Sequence, residues 1–174
     1  MRKYGILNST SGFFIMVVGG WDGRTYRNDV QIIDLSTQRK LCPNLQNYPL
    51  KLSAATGAIV SCNPIVCGGD SGSASSRYPQ CHKYDNSTNS WTFLTNLTIG
   101  RDFSASVPLN DSLFVMGGNC EDDDVHRISS TEYINLDASH PKERKSFIFG
   151  LCRHVQGPPC LSVQSKLALT DRNM

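Results

Sequence analysis

Short apolar runs alternate with polar clusters along this chain, and three of the runs end in paired glycines. They are FFIMVVGG closing at Gly20, NPIVCGG closing at Gly69, and DSLFVMGG closing at Gly118. The pairs Gly19-Gly20, Gly68-Gly69 and Gly117-Gly118 keep one interval, since 68 − 19 and 117 − 68 are both 49. A fixed period makes each stretch a copy of one supersecondary unit. Other features keep the beat. Gly23 and Gly72 each stand three residues after their pair, and an apolar residue followed by Asp or Asn recurs as Ile33-Asp34, Tyr84-Asp85 and Ile134-Asn135.

Within a period the texture is β. SASVPLNDSLFVMGG holds two apolar stretches around Leu109-Asn110-Asp111 and predicts a hairpin, and TGAIVSCNPIVCGG predicts its counterpart, turning at Ser61 to Pro64. A polar loop follows the glycines, then QCHKYD as a strand, NSTNS as a turn and SWTFL as a further strand. Four short strands per period make a sheet whose two apolar faces need neighbours, so the sheets are expected to stack as blades of a β-propeller. Glycines at the end of the second strand permit close backbone packing and a sharp turn.

These residues resemble the Kelch repeat, in which paired glycines are followed by a further glycine, an aromatic before Asp, and a Trp about seven residues on. The second period carries the pattern best, with Gly68, Gly69, Gly72, Tyr84, Asp85 and Trp91; Arg101 and Phe103 look like the family's junction between blades. Ile33 and Lys40 depart from the pattern in the first period, as does Glu121 in the third. The resemblance covers about residues 13–137, divided near 13–50, 51–99 and 100–137. Residues 1–12 read as an N-terminal segment belonging to a preceding strand, and 138–174 as an irregular tail outside the repeat. The expected fold is thus all-β, a partial Kelch β-propeller of about three four-stranded blades. A closed ring takes about four to eight blades, so further blades from a longer chain or from a second copy are expected.

Composition narrows the function. With 17 Lys plus Arg against 15 Asp plus Glu and a net charge of +2, there is no electrostatic footprint for nucleic acid. No apolar run approaches the roughly 20 residues that span a bilayer. Seven cysteines and sequons at Asn8, Asn86, Asn96 and Asn110 lean towards an extracellular home, and the lack of a convincing signal peptide leans towards the cytoplasm. Cys67 with Cys81, across a hairpin, and Cys42 with Cys62, between blades, are the candidate disulfides; Asn86, Asn96 and Asn110 are the candidate glycosylation sites.

Gly69-Asp70-Ser71-Gly72 spells the surroundings of a trypsin-like nucleophile, but the base and its orienting acid precede the serine in that order of chain, and here every histidine (82, 126, 140, 154) follows it. Ser71 therefore reads as part of a polar turn. GGDSGS lacks the following helix that a phosphate cradle needs. Glu121 to Asp124 with His126 lacks the ligand spacing of a calcium loop, and Cys152, His154 and Cys160 lack the paired spacing of a zinc site. No catalytic residue, metal or cofactor is expected. The recurrence of the Tyr84 and Trp91 slots points to packing between blades. The expected function is non-enzymatic: a module that holds a protein partner through Asp70 to Pro79 and Asn119 to Ile128. The resemblance also implies a ubiquitin-ligase substrate adaptor, a role tied to a BTB domain that this sequence does not contain, or a copper oxidase carried on a Kelch-like propeller.

Overall fold

The structure, a computed structural model, describes residues 3–8, 14–35, 39–41, 44–72, 77–120, 127–136 and 144–147. All regular structure among them is strand. The first sheet holds β1 (Lys3–Asn8), β2 (Phe14–Trp21), β3 (Tyr26–Asp34) and β4 (Arg39–Leu41). The second holds β5 (Thr56–Val60), β6 (Asn63–Cys67), β7 (Gln80–Asp85) and β8 (Ser90–Asn96), and the third β9 (Ala105–Leu109), β10 (Ser112–Met116), β11 (Thr131–Asn135) and β12 (Arg144–Phe147). Each sheet is a four-stranded antiparallel meander whose strands pair in sequence order.

Local chemistry explains the second sheet most fully. Thr56–Val60 alternates buried and half-buried positions, the period-two signature of a strand with two packed faces. Val60 pairs with Asn63, and the intervening Ser61 and Cys62 both have left-handed φ, of 46° and 64°. That geometry suits the right-handed twist of the flanking strands. The diglycines close the second strand of every sheet. At Gly68, φ is +70° and a Cβ would stand 2.3 Å from the Arg101 carbonyl oxygen, so a side chain is excluded by both conformation and space.

The sheets pack face to face in chain order. Met16 and Val18 of the first sheet meet Val66, Tyr84 and Trp91 of the second, joined by Tyr48 and Leu52 from the connecting segment. On its other face the second sheet sets Ala58, Val60, Ile65 and Cys67 against Leu113, Val115 and Ile134 of the third. The first strands lie side by side, β1 against β5 and β5 against β9.

The junctions repeat as faithfully as the strands. Gly20 N–H donates to Leu52 O at 2.7 Å, and 49 residues later Gly69 N–H donates to Arg101 O at 2.8 Å. Ser53 bridges to Asp70 and Asp102 bridges to Asn119, each an antiparallel exchange. Ala54 and Phe103 occupy the same left-handed φ, 53° and 50°, and Phe103 N–H donates to Ala54 O at 3.0 Å. Each connecting segment thereby stitches the end of one sheet to the next.

Lys3–Asn8, within the segment read as part of a strand preceding the repeat, is the first strand of the first sheet, paired with β2 from Lys3↔Trp21 to Asn8↔Ile15. Two expectations need correction. Arg144–Phe147, placed by sequence in the irregular tail, is the outer strand of the third sheet, paired with β11. Its run of charges suits an edge strand, which does not need apolar alternation. Cys62 is a free, exposed thiol at a turn apex, so the expected bridge to Cys42 is not made; Cys42 lies outside the described residues.

Candidate interaction surface

The described parts of the loops after the diglycines are tied to one another and to the junctions between sheets. The β2–β3 loop is shaped by Asp22, whose Oδ1 accepts the Arg24 and Thr25 N–H groups at 2.9 and 2.8 Å. These backbone donors, Thr25 and then Arg24, hold the Asp22 carboxyl below its ordinary value. Arg27 adds ion pairs to Asp29 at 3.0 Å and to Asp22 at 3.7 Å, both largely exposed and therefore of small worth to stability.

A polar chain then crosses from sheet to sheet. The Tyr26 hydroxyl donates to Asp70 Oδ2 at 3.0 Å, and the Gly72 N–H donates to Asp70 Oδ1 at 2.7 Å. Arg77 reaches the same carboxylate through Nη1 at 3.3 Å, and its Nε stands 2.9 Å from Asp102 Oδ2. Arg77 and Asp102 are buried, so an arginine fixed between two carboxylates binds the loop of the second sheet to the junction of the third. Asp102 continues the chain through its backbone exchange with Asn119, which in turn bridges to Arg127. Gly72 lies against the Tyr26 ring, where a Cβ would come within 2.4 Å of Cε2. Trp21 stands beside the same ring at 4.8 Å.

Beneath this surface lies a buried ion pair, Arg101 to Glu132, with both side chains wholly inaccessible. Arg101 Nη1 also donates to Gly117 O and Ser130 O, each at 3.1 Å. Glu132 accepts the Thr98 N–H at 2.6 Å. The pair anchors the junction segment 98–102 to β11 and so holds the rim in place.

Ser71 sits in the Asp70 turn, whose carboxylate is already engaged. Of the four histidines His82 alone lies among the described residues, and its Nδ1 stands 2.9 Å from the Tyr48 hydroxyl, buried between the first and second sheets. Burial drives the His82 pKa below 6.5 and raises that of Tyr48. Tyr84 and Trp91 lie in the same interior, with ring centroids 5.1 Å apart. The Trp91 indole N–H donates to Gln46 O at 3.1 Å.

Cys67 and Cys81 form a disulfide across β6 and β7, both residues fully buried, with Cα atoms 4.1 Å apart. Asn86, Asn96 and Asn110 are exposed, at the β7–β8 turn, the end of β8 and the β9–β10 turn respectively. Residues 73–76 and 121–126 of the expected contact loops, including the acidic run with His126, lie outside the described residues, as do Cys152, His154 and Cys160. Among the described residues no three His, Cys, Asp or Glu side chains converge as a metal site, and no helix is long and apolar enough to cross a membrane.

Arg77, Asp102 and Tyr26 carry no sequence signal as partners, because they lie on three different units and share no local motif. Glu132 did carry a signal: it is a charge at a position that the strand alternation makes interior.

No family model matches the chain. Matching folds occur in 161 solved chains. One of them, described as "Structure of YjhT", aligns with a TM-score of 0.65 and 17% identity over 83% of this chain and 45% of that one. The fold is thus shared with a protein of which this chain spans about half.

Proposed function

We propose that the chain is a Kelch-type β-propeller module with no catalytic role, holding a protein partner through the loops at its diglycine end. One observation carries this reading. The contact that seats a glycine N–H on the next junction's carbonyl recurs at an interval of 49 residues, from Gly20 and Leu52 to Gly69 and Arg101. Sheets locked in that fashion form a rigid frame, and recognition falls to the loops that the frame presents. The Tyr26, Asp70, Arg77 and Asp102 chain supports it further. It ties the bases of neighbouring loops together, with Arg24, Thr25 and Gly72 exposed on those loops. The shared fold with a chain more than twice as long as the aligned region agrees with a ring of more sheets than three.

The reading that Ser71 is not a nucleophile rests on the occupied state of its surroundings: Asp70 serves the loop and His82 serves Tyr48.

Photo-crosslinking residues placed in turn at Arg24 and Ser71, on the diglycine end, and at Asn86, on the other end, test the proposal in cells expressing the chain. Adducts to a protein are expected from the first two positions. Adducts from Asn86 alone would assign recognition to the opposite face and overturn it.

A further inference from the structure

We infer that the outward faces of the first and third sheets bind a second copy of this chain, two copies closing one ring of six sheets. This rests on the propeller reading above.

The chain displays at its two ends the halves of an interface that it already uses inside. Between the second and third sheets, Ala58, Val60, Ile65 and Cys67 receive Leu113, Val115 and Ile134. One period on from the receiving set stand Val107, Leu109, Phe114 and Met116 of the third sheet. Val107 and Leu109 are 46% and 58% exposed, and Phe114 stacks on Tyr133 at 5.5 Å across the same face. Two periods back from the inserting set, and in the same pairing register, stand Ile15, Val17 and Ile33 of the first sheet, with Ile15 opposite Ile33 just as Leu113 is opposite Ile134. These three are half-buried. A third sheet is therefore shaped to receive a first sheet as the second receives the third.

Such a head-to-tail contact either closes or propagates into a filament. Propellers close with about four to eight blades, and six is the one multiple in that range of the three sheets found among the described residues. Two copies satisfy both ends and remove the exposed apolar face. The solved chain whose fold this one shares is a little over twice the length of the aligned region, room for about six such sheets.

Size-exclusion chromatography with light scattering on this 174-residue chain tests the inference. Wild type is expected at twice the mass of one chain. Leu109→Glu and Ile33→Glu, each placing a charge in the contact, are expected to run as single chains, with association weakened on the order of 100-fold. Mixing the two variants leaves one intact contact between an unaltered third sheet and an unaltered first sheet, so a mixed dimer is expected to reappear. Wild type of single-chain mass, or a dimer indifferent to Ile33→Glu, would overturn the inference. The two readings part in a Thr56→Cys/Ser106→Cys variant. If its introduced thiols join within a monomeric chain, the stacked sheets stand and the dimer alone fails; if they stay reduced, the propeller reading fails as well.

Discussion

Replacing Glu132 by leucine removes one half of the wholly buried Arg101–Glu132 pair. The Arg101 guanidinium then keeps its carbonyl partners, Gly117 O and Ser130 O at 3.1 Å, but loses the carboxylate that balances its charge. The Thr98 N–H loses its acceptor as well. Removing one partner of a buried pair costs about 3–5 kcal/mol, a large part of the roughly 5–15 kcal/mol that holds a domain together. For a chain of this length that is a fall in Tm of roughly 6–20 °C. The repeat itself points to the compensating change: Leu52 fills the Arg101 slot one period earlier and is completely buried. The double variant Arg101→Leu/Glu132→Leu exchanges an ion pair for apolar packing and is expected to recover at least half the loss, a coupling of about 2 kcal/mol or more. Urea denaturation of wild type, both single variants and the double variant measures the cycle. A Glu132→Leu cost below about 1 kcal/mol, or additive singles, would refute the claim that this pair anchors the junction.

Gly68→Ala, with a Cβ 2.3 Å from the Arg101 carbonyl, is expected to cost more than Gly23→Ala, where nothing lies within 4 Å and only the positive φ opposes the change. Expected losses are above about 3 kcal/mol against about 1–2 kcal/mol, read by thermal unfolding. Reducing the Cys67–Cys81 bond, which spans 14 residues, is expected to lower stability by about 3 kcal/mol. Equal melting of oxidised and reduced protein, with reduction verified by mass, would deny the bond a stabilising role. His82 has a folded pKa below 6.5 because burial disfavours its charge. The unfolded state therefore binds the proton first, and stability is full above about pH 6.5 and falls as the pH drops below it. His82→Phe is expected to flatten that slope in urea titrations; an unchanged slope would place the titration elsewhere.

The second sheet was the most legible, since its apolar alternation, turn residues and aromatic slots coincide: QCHKYD is β7 residue for residue. The edge strands of the other sheets were less so: the segment holding Lys3–Asn8 reads as part of a preceding strand but has no repeat marker that assigns it to the first sheet, and Arg144–Phe147 is hidden by its charges. The Cys67–Cys81 disulfide follows from hairpin register, whereas the expected partnership of Cys62 fails because Cys62 occupies an exposed turn. The polar chain from Tyr26 to Asp102 was invisible because its members are brought together only by stacking. Tyr26 and Asp70 are 44 residues apart, and their meeting depends on the sheet-to-sheet geometry rather than on either loop alone.

The adjacency of consecutive first strands is the most exposed part of the account. Thr56 Oγ1 donates to Ser106 Oγ at 2.9 Å, and Ser106 Oγ donates to Gly57 O at 2.8 Å, joining β5 to β9. In the Thr56→Cys/Ser106→Cys variant the two introduced thiols are predicted to oxidise to an intrachain disulfide, identified by peptide mapping of unreduced protein. Thiols that remain free in the folded, air-oxidised chain would contradict the stacked-sheet arrangement on which every functional statement here depends.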